Sequence, residues 1–235
     1  MLDTNLHRQT MLRVLKDIYS IPLVANSLGF KGGTAAYLLY NLPRFSIDLD
    51  FDLLNPTQED FVFKKVTRIL GTYGRLDEST VKHYTLFYLL SYKSDLQRLK
   101  LEISRRPESS SFEPKTHLGI PFLVMTKPDM LANKLVALMS RSQLANRDLF
   151  DIHFFLKENW PVNFKLVEKR TEMTYQDYIK KCLETVEKVP SDSLLTHMGE
   201  LVDNKTKYWI KNHLKPELLS LLRIHLDSLT ITTSE

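Results

Sequence analysis

The stretch Phe30-Lys31-Gly32-Gly33-Thr34-Ala35-Ala36, followed by Arg44-Phe45-Ser46-Ile47-Asp48-Leu49-Asp50-Phe51, decides the fold reading of this chain. It joins a double-glycine turn to two acids spaced two apart. Residues i and i+2 of a strand face the same way, so Asp48 and Asp50 project together while Ile47, Leu49 and Phe51 enter a core. Two carboxylates on one face suit Mg²⁺, which takes a few carboxylate oxygens and completes its shell with water and substrate phosphate. The glycines supply the complementary part. Without Cβ atoms the backbone at Gly32 and Gly33 comes close to a ligand, and the amides opening a short helix, Thr34 to about Tyr40, meet an anion.

Each half alone is common, since paired glycines often only turn a chain and an Asp-Leu-Asp alternation is often a solvated strand face. Their order is more specific: glycine turn, short helix, Arg-Phe-Ser, then the acid-bearing strand, all between residues 30 and 51. That order resembles the nucleotidyltransferase superfamily with a polymerase-beta-like fold. More narrowly, KGGTAAYLLYNLPRFSIDLDF resembles the AbiEii/AbiGii toxin family, which includes the MenT toxins, and TKPDMLANKLVALMSRSQLANRDLFDIHFF resembles that family's downstream lysine and Arg-Asp-x-x-Asp elements.

The resemblance implies an α+β fold: a polymerase-beta-like nucleotidyltransferase core, a mixed sheet flanked by helices, over residues 1–125. A mostly helical C-terminal region, residues 126–235, would complete the active site. It further implies that Gly32, Gly33 and Thr34 contact nucleotide phosphates, Asp48 and Asp50 bind metal, Lys134 contacts NTP phosphate, and Asp148 or Asp151 completes the site. The chain departs from the family's usual form at Ala36, where leucine is common, and at Ile47, where a polar residue is frequent; neither change removes a reacting group.

A chain of 235 residues can bury a sizeable core. Its single cysteine, Cys182, forms no internal disulfide and no cysteine zinc site, which fits a reducing compartment. No stretch approaches a membrane span and the first residues lack a basic-then-apolar leader, so a cytoplasmic protein is expected. The net charge of +4 and pI near 9.0 suit a polyanionic partner such as tRNA without requiring one. The seven histidines show no pair at helical metal spacing, and neither a Gly-x-Ser-x-Gly elbow nor a P-loop lysine motif is present. Zinc catalysis, serine hydrolase and P-loop NTPase readings are therefore disfavoured.

The flanking sequence predicts a helix from Thr4 to about Ser20, with Leu12, Leu15 and Tyr19 on its packing face. Pro43 ends the short helix, the acid-bearing strand runs from about Ile47 to Leu53, and a helix follows Pro56 with Phe61, Val66, Ile69 and Leu70 inward until Gly71 and Gly74. Tyr84 to Tyr92 and Leu99 to Ser104 read as strands. Glu102, alternating with Leu101 and Ile103, is a candidate third carboxylate or an exposed edge residue. Asp52 shares the face of Asp48 and Asp50 but lies outside the family's metal pair. Arg105 to Gly119, with Ser109, Ser110 and Ser111, reads as a loop, and Ile120 to Val124 as a strand. Lys127, Lys134 and Arg141 recur every seven residues along a predicted helix whose other side carries Leu131, Leu135 and Leu138. Asn146-Arg147-Asp148 opens another helix, with Asp148 and Asp151 on one face, where helix-dipole complementation is the bland alternative. Trp160 to Glu235 reads as mostly helical.

The expected function is a Mg²⁺-dependent nucleotidyltransferase using NTP. The resemblance adds a toxin that modifies tRNA and blocks translation, with a separately encoded antitoxin as partner. A small-molecule nucleotidyltransferase and a non-catalytic nucleotide-binding module are the alternatives.

Overall fold

In the computed structural model, residues 3–93, 97–107, 110–140 and 144–232 are described; Arg141 and Ser109 lie outside them. The chain divides into two compact units, Met1–Thr126 and Lys127–Glu235.

The first unit opens with α1 (Thr4–Tyr19), capped by the Asp3 carboxylate accepting from the Leu6 amide. Its inward stripe is His7, Met11, Val14, Leu15 and Ile18, and Leu12 falls half-buried at the margin of that stripe. A single turn, α2 (Pro22–Ala25), leads into β1 (Leu28–Lys31), α3 (Gly32–Tyr40) and β2 (Asp48–Leu53). Next come α4 (Glu59–Gly71), preceded by a 3-10 turn at Pro56–Gln58, and then β3 (Arg75–Val81), β4 (Thr85–Tyr92), β5 (Gln97–Ser104), β6 (Phe112–His117) and β7 (Ile120–Met125).

These strands form one mixed sheet in the order β3-β4-β5-β2-β1-β7-β6. β1 runs antiparallel to β2 and parallel to β7, while β2 runs parallel to β5. Along β2 the alternation is strict: Leu49, Phe51 and Leu53 are buried, and Asp48, Asp50 and Asp52 are half-buried on the opposite face. Phe30 is the register partner of Phe51, and its ring lies 5.3 Å from Phe51 and 5.4 Å from Phe122 between centroids. Burying each such ring contributes roughly 1.5–3 kcal/mol, so the apolar face of the central strands fixes where the acids of the other face stand.

Three strands differ from the sequence expectation. The sequence assigns no element to β1 or β3, and β6 falls inside the segment expected to be a loop. β3 and β6 are the two edges of the sheet. Their sequences, Arg-Leu-Asp-Glu-Ser-Thr-Val and Phe-Glu-Pro-Lys-Thr-His, are polar because an edge strand faces water, and Pro114 is tolerated there because an edge needs no second ladder partner.

The second unit is helical: α5 (Lys127–Ser140), α6 (Asn146–Lys157), α7 (Phe164–Thr171), α8 (Tyr175–Glu187), α9 (Asn204–Trp209) and α10 (Lys215–Thr232), the last two joined through a π-helical segment, Ile210–Leu214. Leu131, Leu135 and Leu138 are buried, as their spacing on α5 requires. No helix among the described residues is long and apolar enough to cross a membrane.

Candidate active site

In the first unit, β1 ends at Lys31 and α3 begins at once with Gly32, with no side chain capping the helix start. Gly32 has φ of +79°, a left-handed conformation that glycine adopts without strain. A Cβ there would lie 2.5 Å from Asp50 Oδ2, and one on Gly33 would lie 2.6 Å from an Arg44 guanidinium nitrogen and 2.9 Å from Ser46 Oγ. The two glycines are thus required by the side chains packed on them as well as by the turn. Thr34 is fully buried, and its hydroxyl donates to the Asp48 main-chain carbonyl, tying the first turn of α3 to the start of β2.

The sheet register gathers more charge around the acids than Asp48 and Asp50 alone. Asp50 pairs with Lys31 on one side and Glu102 on the other, and Asp48 pairs with Lys100; directly paired residues share a face. Lys31 Nζ lies 2.5 Å from Asp52 Oδ1. Lys100 Nζ lies 3.4 Å from Asp48 Oδ2 and 3.3 Å from Glu102 Oε2. Burial, and then the neighbouring Asp48, push the Asp50 carboxyl above its ordinary pKa, while Lys100 and Lys31 pull it back. Burial works against the charge on Lys100, yet Asp48, Glu102 and Asp50 together hold its pKa above that of a free lysine.

Asp48 and Asp50 present carboxylate oxygens, the donor type that Mg²⁺ takes. Among the described residues no three His, Cys, Asp or Glu side chains are arranged as a ready-made metal cage. Glu102 is placed on the same face, with the Lys100 ammonium between it and Asp48.

A buried histidine supports the start of β2. His7 Nε2 lies 2.9 Å from the Ile47 carbonyl oxygen and Nδ1 lies 2.5 Å from Tyr92 Oη. A carbonyl only accepts, so Nε2 carries the proton and Nδ1 accepts from the tyrosine. Burial keeps His7 below its ordinary pKa, consistent with this neutral form. The sequence reading gave no role to His7, Lys31, Arg44, Ser46 or Lys100. The Leu-Lys-Leu-Glu-Ile alternation did place Lys100 on the Glu102 face, and that signal was available.

In the second unit, Lys134 of α5 reaches both acids of α6: Nζ is 2.7 Å from Asp148 Oδ1 and 2.7 Å from Asp151 Oδ2. Asp148 and Asp151 are fully buried, and Lys134 is half-buried. The N-cap of α6 falls on Ala145, without a side-chain hydrogen bond, and Asp148 stands in the first turn, where its charge also complements the helix dipole.

A mixed sheet with a glycine turn packed against a paired-acid strand, followed by a helical unit, is the architecture of a nucleotidyltransferase. The family described as nucleotidyl transferase AbiEii toxin, type IV TA system, matches residues 13–213, and the chain belongs to that family. The matched span includes Gly32, Gly33, Thr34, Asp48, Asp50, Lys134, Asp148 and Asp151.

Two solved structures share the fold. A protein of H. pylori described as a nucleotidyltransferase matches with TM-score 0.67 and 23% identity, covering 99% of this chain and 98% of that one. JHP933 from Helicobacter pylori matches with TM-score 0.59 and 23% identity, covering 99% of each chain. A comparison with curated proteins finds no match.

Proposed function

We propose that the chain is the toxin of a toxin–antitoxin pair, acts in the cytoplasm, and transfers a nucleotide from NTP to tRNA in a Mg²⁺-dependent reaction that blocks translation. Family membership supports the toxin reading, and the basic pI of 9.0 suits an RNA acceptor. The observation that carries the chemistry is the placement of Asp48 and Asp50 on one face of β2, directly against the Gly32 turn. A separately encoded antitoxin is the implied protein partner.

In this reading Asp48 and Asp50 hold the metal, and the backbone of Gly32, Gly33 and Thr34 receives the triphosphate at the uncapped start of α3. Mg²⁺, when bound, supplies the positive charge that activates an acceptor hydroxyl and stabilises the departing pyrophosphate. The hydroxyl oxygen bonds to the α-phosphorus as the bond to the β-phosphate oxygen breaks. In the second unit, Lys134 is assigned to NTP phosphate, and Asp148, with Asp151 beside it, is assigned to holding that lysine in place.

The test incubates the protein and its Asp50→Ala variant with Mg²⁺, total tRNA and each NTP labelled in turn at the α or γ position. Transfer of α-label to tRNA by the wild type, reduced at least about 10²-fold in the variant, is the expected result. Full activity of Asp50→Ala would overturn the metal assignment. Transfer of γ-label would mean a kinase-like reaction, and no transfer to RNA would favour a small-molecule acceptor.

A further inference from the structure

The polar face of the first unit's sheet carries its own cation among the acids. Lys100 is the direct register partner of Asp48, and its ammonium bridges Asp48 and Glu102 at 3.4 and 3.3 Å. Asp50, paired with Glu102 on the same ladder, lies within reach of the same charge. Lys31, the other lysine of this face, is drawn to Asp52. Lys100 therefore offsets charge on both Asp48 and Glu102.

This position conflicts with a divalent ion on the same oxygens. Two cations sharing one carboxylate at such short range repel strongly in a half-buried setting, where water screens them poorly. Either the ion stays out or the lysine withdraws. The stem of Lys100 is long and about one-third exposed, so withdrawal requires only side-chain rotation. A triphosphate changes the balance, because it brings several negative charges, offsets the repulsion and offers the displaced ammonium a new partner.

We propose that Lys100 is a tethered counter-cation that keeps free divalent ions off Asp48 and Asp50, so that metal enters together with a nucleoside triphosphate. The inference rests on the metal role proposed above for Asp48 and Asp50. It assigns an order of binding: a chain without nucleotide holds no metal at physiological concentrations, and the metal–NTP complex is the species captured. Glu102, in the same arrangement, serves to hold Lys100 in its waiting position.

The experiment titrates Mn²⁺ into the full chain, with and without NTP, and follows water-proton relaxation enhancement, which separates protein-bound Mn²⁺ from Mn²⁺ held by nucleotide alone. The variants are Lys100→Met, Lys100→Arg, Asp50→Asn and the Lys100→Met/Asp50→Asn pair, each checked for an unchanged thermal transition. Lys100→Met is expected to bind Mn²⁺ alone at least about tenfold more tightly than the wild type, the electrostatic gain of removing one like charge from a half-buried site. Lys100→Arg is expected to stay weak, and the double variant to lose the gain. Wild type and Lys100→Met binding Mn²⁺ alone equally would overturn the counter-cation while leaving the metal role of Asp50 intact, provided Asp50→Asn abolishes that binding. A double variant as tight as Lys100→Met would place the ion elsewhere and overturn the metal reading itself.

Discussion

Gly32 and Asp50 compete for one volume: a methyl group on the glycine would fall 2.5 Å from the carboxylate oxygen Oδ2 of the acid. The turn and the acid-bearing strand are therefore a single steric unit, and the absence of a side chain at residue 32 is what lets the carboxylate stand where it does.

Gly32→Ala is the direct test. The substitution combines an unfavourable left-handed φ with the clash on Asp50, costing about 1–3 kcal/mol of stability. Transfer activity is expected to fall much further than stability does, because the carboxylate must move. Equilibrium unfolding and the α-label assay on the same preparation measure the two effects.

Removing Lys134 carries a structural penalty of its own. Its ammonium lies 2.7 Å from each of two fully buried carboxylates, and deleting one partner of a buried pair costs about 3–5 kcal/mol. Lys134→Ala is expected to unfold at markedly lower urea concentration, and adding Asp148→Asn should recover part of the loss. An activity assay of Lys134→Ala therefore requires a temperature at which the variant is folded.

Acid should destabilise the helical unit through His225. Burial lowers its pKa from 6.5, and its Nε2 lies 2.6 Å from the Tyr175 hydroxyl, which stays protonated and donates. A depressed folded-state pKa means that the unfolded chain binds the proton more readily. The stabilisation is thus present in full above pH 6.5 and is lost as pH falls through the folded value. His153, also lowered by burial, adds to the same trend. Thermal unfolding between pH 7.5 and 5 should show a falling midpoint, with a shallower slope in His225→Gln.

Much of this architecture is legible in the sequence wherever side-chain periodicity meets a buried face. β2, β4, β5, α5 and α6 each alternate or repeat at the spacing of their element, and they fall where that spacing puts them. β1 escaped because Leu-Gly-Phe-Lys is four residues long, contains a glycine and is shielded on both faces, leaving no alternation to read. β3 and β6 escaped because edges are polar. The pairing of Asp50 with Glu102 and of Asp48 with Lys100 depends on strand register, which residue order does not encode locally. The same is true of Lys134, whose spacing marked it out but gave no sign that it would lie between Asp148 and Asp151.

The parallel pairing of Phe30 with Val124 has a consequence for synthesis. A chain emerging from the ribosome through β5 already carries Asp48, Asp50, Lys100 and Glu102, while β1, beside the acids, still has one open edge. Closing that edge waits for Ile120–Met125, the last strand of the unit. Unpaired strand edges recruit other chains, so the interval between residues 104 and 125 is when a nascent chain is most exposed to misassembly, and when anything that delays elongation would be felt most.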